Sequence, residues 1–515
     1  MRSKAFAALR TGSAVCAACL CLTATAQAFT SLPEKEKQVY HFDVVVVGAG
    51  AAGLTAALSA SEQGARVLVV EKMPTVGGNS VQSAGYMLAK KRSTADADEG
   101  DAYEAQILRE GKGGNDKALV RQLVDDSTGA IEWLQSKGAD LAPNGLAAAS
   151  PYQFQAGNSV MVGEEVVKTL LQGIESRRIP VQTLTRVSSL RIGPDGRVAG
   201  VNVVTSKGVH YEVEAPSVVI ATGGFAANEK MTGISPTGDF GLTTTNLPGT
   251  LGDGISLTLP LKAKVVDMHD VKVHATTMPY SNLVITIQAR QEGAVLIDAT
   301  GRRFTNELSH KAWHDILSKS AGHAWLVLDQ GIIDKLPVLQ NYARYGYFVK
   351  AQTDEELARY MHCSPEVFAL TMNRYRQLAS LGRDMDFERP TMLSTLKHRP
   401  LYAVHIQPAV HSTPGGLSIN TDAAVLDKAG APIPGVFAAG EVTGGIFGKD
   451  RIEGTGLIDA VVHGRIAGRN AAKWASARTT APKAPAESLK PANRVAAAGG
   501  VAPEGSAPAK EAGVF

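Results

Sequence analysis

Short, wholly apolar runs and helical stripes alternate along this chain, with glycine-rich turns between them. Asp43 to Val47 carries four consecutive valines. A β-branched run with no polar alternation predicts a parallel strand buried on both faces. The turn Gly48-Ala49-Gly50-Ala51-Ala52-Gly53 follows, then Leu54 to Glu62 reads as a helix ended by Gly64. Arg66 to Val70 reads as a second strand finished by Glu71. Together these make one strand–helix–strand unit of ordinary length. The strand signal returns far downstream, in Val218 to Ala221 before Thr222-Gly223-Gly224 and in Gly435 to Ala439 before Gly440-Glu441. The expected fold is therefore α/β. A discontinuous Rossmann-like domain over 40–264 and 396–476 is interrupted by an inserted α+β capping domain over 265–395. In the insert, Ala294 to Asp298 and Ala324 to Leu328 read as strands and 353–381 as helical.

Both ends break this pattern. Arg2, Lys4 and Arg10 precede an apolar small-residue run from Ala14 to Leu22, and Ala26-Gln27-Ala28 has the A-x-A form of a cleavage site. Residues 1–28 thus read as a Sec signal peptide, which predicts a periplasmic mature chain from Phe29 with no membrane span of its own. Residues 29–40 read as an extended arm. The end, 477–515, is rich in Ala, Pro, Gly and Lys. It offers too little apolar surface to offset ordering entropy and is expected to be disordered.

The net charge of +3 falls to zero once the three basic residues of the leader are removed. Nothing electrostatic then points to nucleic acid or an anionic membrane. Of four cysteines, Cys16, Cys19 and Cys21 lie in the leader. Cys363 alone remains, which excludes an intrachain disulfide, a cysteine-rich metal site or a self-held iron–sulfur cluster, and no metal site is expected. Cys363 reads as a buried small hydrophobe.

The turn at Gly48, Gly50 and Gly53 follows a strand, opens a helix and precedes an acidic residue at the next strand end, a context that makes it a dinucleotide site. Its glycines let backbone N–H groups approach a pyrophosphate. Glu71 suits a ribose diol. Gly77-Gly78-Asn79-Ser80, Ser83-Ala84-Gly85 and the small-residue strand ends Ala221-Thr222-Gly223 and Ala439-Gly440-Glu441 leave room for a long cofactor against backbone, which favours FAD.

On these motifs the chain resembles the flavoprotein family of fumarate reductases and succinate dehydrogenases, in particular the soluble periplasmic fumarate and alkenoate reductases, from about residue 40 to 475. The resemblance implies FAD contacts at Glu71 for the ribose, Val187 for adenine, and Asp253 and Glu441 for the remainder. Ala52, Lys72, Gly456, Leu457 and Ile458 join that implied set. Relatives that bind flavin covalently use a His after the position of Glu71. None occurs between Glu71 and Tyr103, so one noncovalent FAD per chain is expected.

The implied reaction is reduction of a C=C bond conjugated to a carboxylate. It needs cations and polar donors on the carboxylate and a proton donor on the side opposite the flavin. His274 in His-Ala-Thr, Thr286 twelve residues later, His411 in His-Ser-Thr-Pro-Gly-Gly and Arg451 in Asp-Arg-Ile-Glu-Gly-Thr resemble the family's substrate-binding positions. Arg451 suits a bidentate grip. Two departures matter. Arg303-Phe304-Thr305-Asn306-Glu307 keeps a family motif, but Lys311 stands where the family has its acid, an Arg. Arg290 of the family's proton relay is kept, whereas its Glu is Ile287. Lys311, buried beside Arg290, becomes the expected donor, with His310 replacing part of the relay. Ile287 makes one end of the site apolar. The expected substrate is an acrylate-, methacrylate- or cinnamate-like acid, and not fumarate.

No haem motif or second flavin domain accompanies these residues, so electrons are expected from a separate c-type cytochrome or membrane flavoprotein, in anaerobic respiration. The residues leave three other readings open: fumarate reductase proper, a ketosteroid-type dehydrogenase relying on tyrosines near the flavin, and a non-catalytic flavin electron carrier.

Overall fold

The computed structural model describes residues 30–90, 98–143, 151–157, 161–234 and 242–478. The leader 1–28 lies outside the described residues, as does the tail 477–515 except for Ala477 and Arg478. The valine run forms the strand Val44–Val47, buried throughout. It sits in a six-stranded sheet between Ser217–Ile220 and Val67–Val70, and all three run parallel. Pro432–Ala438 continues the parallel order beyond Ser217–Ile220, and Val181–Gln182 does so beyond Val67–Val70. Ala424–Leu426 closes one edge antiparallel. Strands from opposite ends of the sequence therefore lie side by side, and their carboxyl ends open on one crevice, where ligands bind in such sheets.

The helix Ala51–Glu62 packs against this sheet and is buried over its first ten residues. It also packs on the long C-terminal helix Thr455–Ser476. Close approach explains the small residues there: a Cβ at Gly468 would lie 2.1 Å from the carbonyl oxygen of Ala56.

A second cluster of buried side chains runs from Ala275 to Ile406. Its sheet is organised around Leu401–Ser412, which pairs with Ala324–Asp329, Lys272–Thr277 and Val349–Ala351. A domain boundary at 395 cuts off this strand, because its alternation reads the same in either sheet and only pairing assigns it. One face of the insert is held by buried charge. Arg303 contacts Glu307 at 2.8 Å and Asp384 at 2.9 Å, and Arg389 reaches Glu307 at 3.2 Å. The Arg303–Glu307 motif thus serves as the insert's internal brace. Cys363 is half-buried, with Sγ 3.7 Å from the carbonyl oxygen of Ala358.

Among the described residues no helix is long and apolar enough to cross a membrane.

Candidate active site

Gly48 has φ +104°, in the left-handed region open to glycine, and a Cβ there would lie 2.4 Å from the carbonyl oxygen of Ala221. At Gly53 a Cβ would lie 2.0 Å from the carbonyl oxygen of Gly48. The turn is packed too closely for any side chain. Gly50 itself offers no cap to the following helix and its first turn holds no acidic residue; Ser80 Oγ accepts from the Ala51 N–H at 3.1 Å, and the uncompensated positive end suits an anion. The C-terminal helix starts in the same manner. Gly454 has φ 85° and gives no side-chain cap, and no acidic residue lies in the first turn. Gly454, Gly456 and Leu457 line the same cavity as Gly48 and Gly50. Two helix N-termini with no acidic residue in the first turn therefore face one space.

All the cofactor residues expected from the sequence line this cavity except Gly53 and Ile458. Gly53 acts through packing, as above. Ile458 is fully buried in the core, turned about 100° around the helix from Leu457. Glu71 Oε2 accepts from the Ala49 N–H and Oε1 from the Met73 N–H, both at 2.8 Å. Burial pushes its carboxyl above the usual range while those bonds oppose the shift. Lys72 pairs with Asp253 at 2.6 Å across the mouth. Asn79 donates to Asn246 and Thr250 and accepts from the Leu247 N–H, so it pins the loop opposite. Glu441 Oε1 accepts from the Thr413 N–H at 2.9 Å, and burial raises its carboxyl. Ser412 Oγ is buried, lines the cavity and has no partner among the described residues. Glycines that admit backbone, these helix N-termini and an unpartnered hydroxyl suit FAD.

The four expected substrate residues line the same cavity. His274 lies on Lys272–Thr277 and His411 on the paired strand Leu401–Ser412. Their ring centroids are 5.3 Å apart. The Thr276 N–H donates to His274 Nδ1 at 3.2 Å, which places the proton of the neutral ring on Nε2. His411 Nδ1 bonds Thr245 Oγ1 at 2.9 Å. Burial is the main cause that lowers His411 to about 4, and burial with the neighbouring His411 and Arg290 holds His274 well below the ordinary range. Both rings are neutral at pH 7. Thr286 caps the short helix Ile287–Gln291, and Ile287 lines the cavity beside it. The Arg451 guanidinium lies 5.9 Å from the Phe447 ring centroid, and both line the cavity.

The expected acid–base residues are placed differently. Arg290 is buried behind the cavity, where its Nη1 donates to the Glu307 carbonyl oxygen at 2.7 Å. Burial, the leading cause, brings its guanidinium down to about 10. Lys311 is not buried beside it: Lys311 is exposed at the start of the helix Ala312–Lys319 and does not line the cavity. The reason is local, since that helix buries Ala312 and Ile316 and turns the preceding residue outward. His310 is also exposed, 3.8 Å from both Glu110 and Asp450.

Sequence reasoning missed three neighbours. Thr245 orients His411, and Tyr86 lines the cavity with its hydroxyl pushed up to about 12, chiefly by burial and then by Glu453. Glu453 lines the cavity too, and Lys272 holds it at 3.3 Å. Its signal was a carboxylate inside the Arg451 motif where the resembling pattern has glycine.

Sheet, cavity and glycine turn define an FAD-dependent oxidoreductase of the fumarate reductase type, acting on C=C bonds. The family described as FAD binding domain matches residues 43–457, and the chain belongs to it. A fumarate reductase (cytochrome) from Shewanella frigidimarina is 33% identical over 441 residues, 84% of this chain and 77% of that protein. A urocanate reductase from Eggerthella lenta is 30% identical over 464 residues, 84% of this chain and 75% of that one. Among solved structures, the open conformation of a flavocytochrome c3 fumarate reductase superposes with TM-score 0.71 at 34% identity, covering 85% of this chain and 79% of that chain.

Proposed function

We propose that this protein is a periplasmic reductase of an α,β-unsaturated acid with one carboxylate and an apolar end, of the acrylate, methacrylate or cinnamate kind. The observation that carries this reading is that His274, Thr286, His411 and Arg451 line the FAD cavity together, with Ile287 beside Thr286. FAD, held noncovalently by the glycine turn and Glu71, would supply the hydride once reduced by two electrons. Arg451 grips the carboxylate, and the neutral His274 donates from Nε2, so charge is drawn onto the carboxylate as the transition state acquires it. Ile287 gives the other end of the substrate an apolar wall. A proton completes the reduction at the neighbouring carbon.

Lys311 is the proposed proton donor, with Arg290 and His310 leading to it. From its exposed position, Lys311 reaches the substrate only if the insert moves over the cavity. The two electrons of each turnover come from a separate cytochrome or membrane flavoprotein, as a terminal step of anaerobic respiration. The leader motif supports export.

An anaerobic assay with reduced viologen over a panel of unsaturated acids tests this reading. Monocarboxylates are expected to be reduced fastest; a fumarate rate above all of them overturns the substrate assignment.

A further inference from the structure

Where the resembling pattern has glycine, this chain puts a carboxylate among its substrate-binding cations. Lys272 Nζ lies 3.3 Å from Glu453 Oε1 and 3.2 Å from Asp450 Oδ1, and it donates to the carbonyl oxygen of Arg451. One lysine on the strand that carries His274 thus holds the whole Asp450–Glu453 loop. The contacts leave two cations, Lys272 and Arg451, against two carboxylates, Asp450 and Glu453. Among the described residues Arg451 makes no ion pair, so it is the cation left to meet substrate. We propose that Glu453 is a specificity-determining residue that matches this pocket to a single carboxylate and rejects a second one.

Glu453 and Arg451 line the same cavity as His274 and His411, so a bound acid lies within the field of all four. Burial opposes ionisation of Glu453, but the neighbouring cations, Lys272 foremost and Arg451 with it, outweigh that cost and hold the carboxyl far below the usual carboxylate range. His274 and His411 are neutral at pH 7 and add no compensating charge. Arg290 faces Glu453 from behind and is also engaged by Glu307. Glu441, the other carboxyl acting on Arg451, is pushed upward by burial, so Glu453 is the ionised carboxylate of the two. A first carboxylate pairs with Arg451. A second one, on a substrate short enough to span this end, meets the half-buried Glu453 anion, where like charges repel. Replacing Glu453 by a neutral group adds one net positive charge and removes that repulsion.

This inference rests on the cavity being a carboxylate site, and its test does not depend on turnover. Binding of succinate and of propionate to the oxidised holoenzyme is followed through the flavin difference spectrum, for the wild type and for Glu453→Gln. The ratio of affinities is expected to shift toward succinate by about tenfold or more. A shift below about twofold overturns the proposal. Should Glu453→Gln not retain flavin, Lys272→Met reads the opposite sign: with Glu453 deprived of its partner, succinate is expected to weaken more than propionate, and equal weakening overturns the proposal. If no unsaturated acid is reduced by the wild type, the activity reading fails while the binding ratio still decides the role of Glu453.

Discussion

The rings of His274 and His411 face each other across two paired strands with centroids 5.3 Å apart, and burial keeps both uncharged at pH 7. A carboxylate bound beside them changes their balance, because an anion favours the imidazolium. Binding should therefore take up protons. His411 stands at about 4 in the free site, so carboxylate affinity is expected to rise as pH falls from about 8 toward 5. Titration of propionate in buffers of different ionisation enthalpy measures the uptake, and His411→Asn should flatten it. The same depressed value has a stability consequence. Between the ordinary His range and about 4 the unfolded chain binds more protons than the folded one, so acid lowers stability across that window.

Arg451→Ala removes the cation proposed to grip the carboxylate. Loss of a charge-assisted bidentate contact costs about 3 kcal/mol or more, so kcat/KM should fall at least a hundredfold, with flavin content unchanged. Arg451→Lys should recover little of it, because a lysine cannot reproduce the planar fork.

Lys311→Ala tests the proton donor separately. If Lys311 delivers the proton, turnover should fall about a hundredfold or more while propionate binding stays as in the wild type. Turnover at the wild-type rate would leave the binding residues in place and transfer the donor role to a group already inside the cavity, such as the Tyr86 hydroxyl.

Gly53→Ala should abolish FAD retention. The added carbon would sit 2.0 Å from the Gly48 carbonyl oxygen, and the turn can yield only by moving away from the pyrophosphate position. A stability loss of about 3 kcal/mol is expected alongside. The ratio of flavin to protein absorbance and a chemical denaturation curve check both.

Glu307→Ala should destabilise the insert by about 3–5 kcal/mol, since it leaves Arg389 buried with no carboxylate partner and Arg303 with Asp384 alone. Proteolysis within 265–412 ahead of the remainder of the chain would locate the loss.

The sequence by itself determined the cofactor and the flavin-binding half of the fold. Four valines followed by Gly48, Gly50 and Gly53 permit little else, because local sterics demand both the strand and the turn, and neither needs a distant partner. The motifs around His274, Thr286, His411 and Arg451 were legible as candidates, though they are scattered over nearly two hundred positions. Tertiary structure decided three things. It gave Leu401–Ser412 to the second sheet, since strand pairing is not written in alternation. It turned Lys311 into solvent, since the helix that follows buries one face through Ala312 and Ile316 and leaves its cap outside. It drew Glu453 against Lys272, an ion pair between residues far apart in the chain that no spacing rule predicts. Charges act through space on whatever folding brings near, so the glycine turn could be read in advance and the electrostatics of the substrate pocket could not.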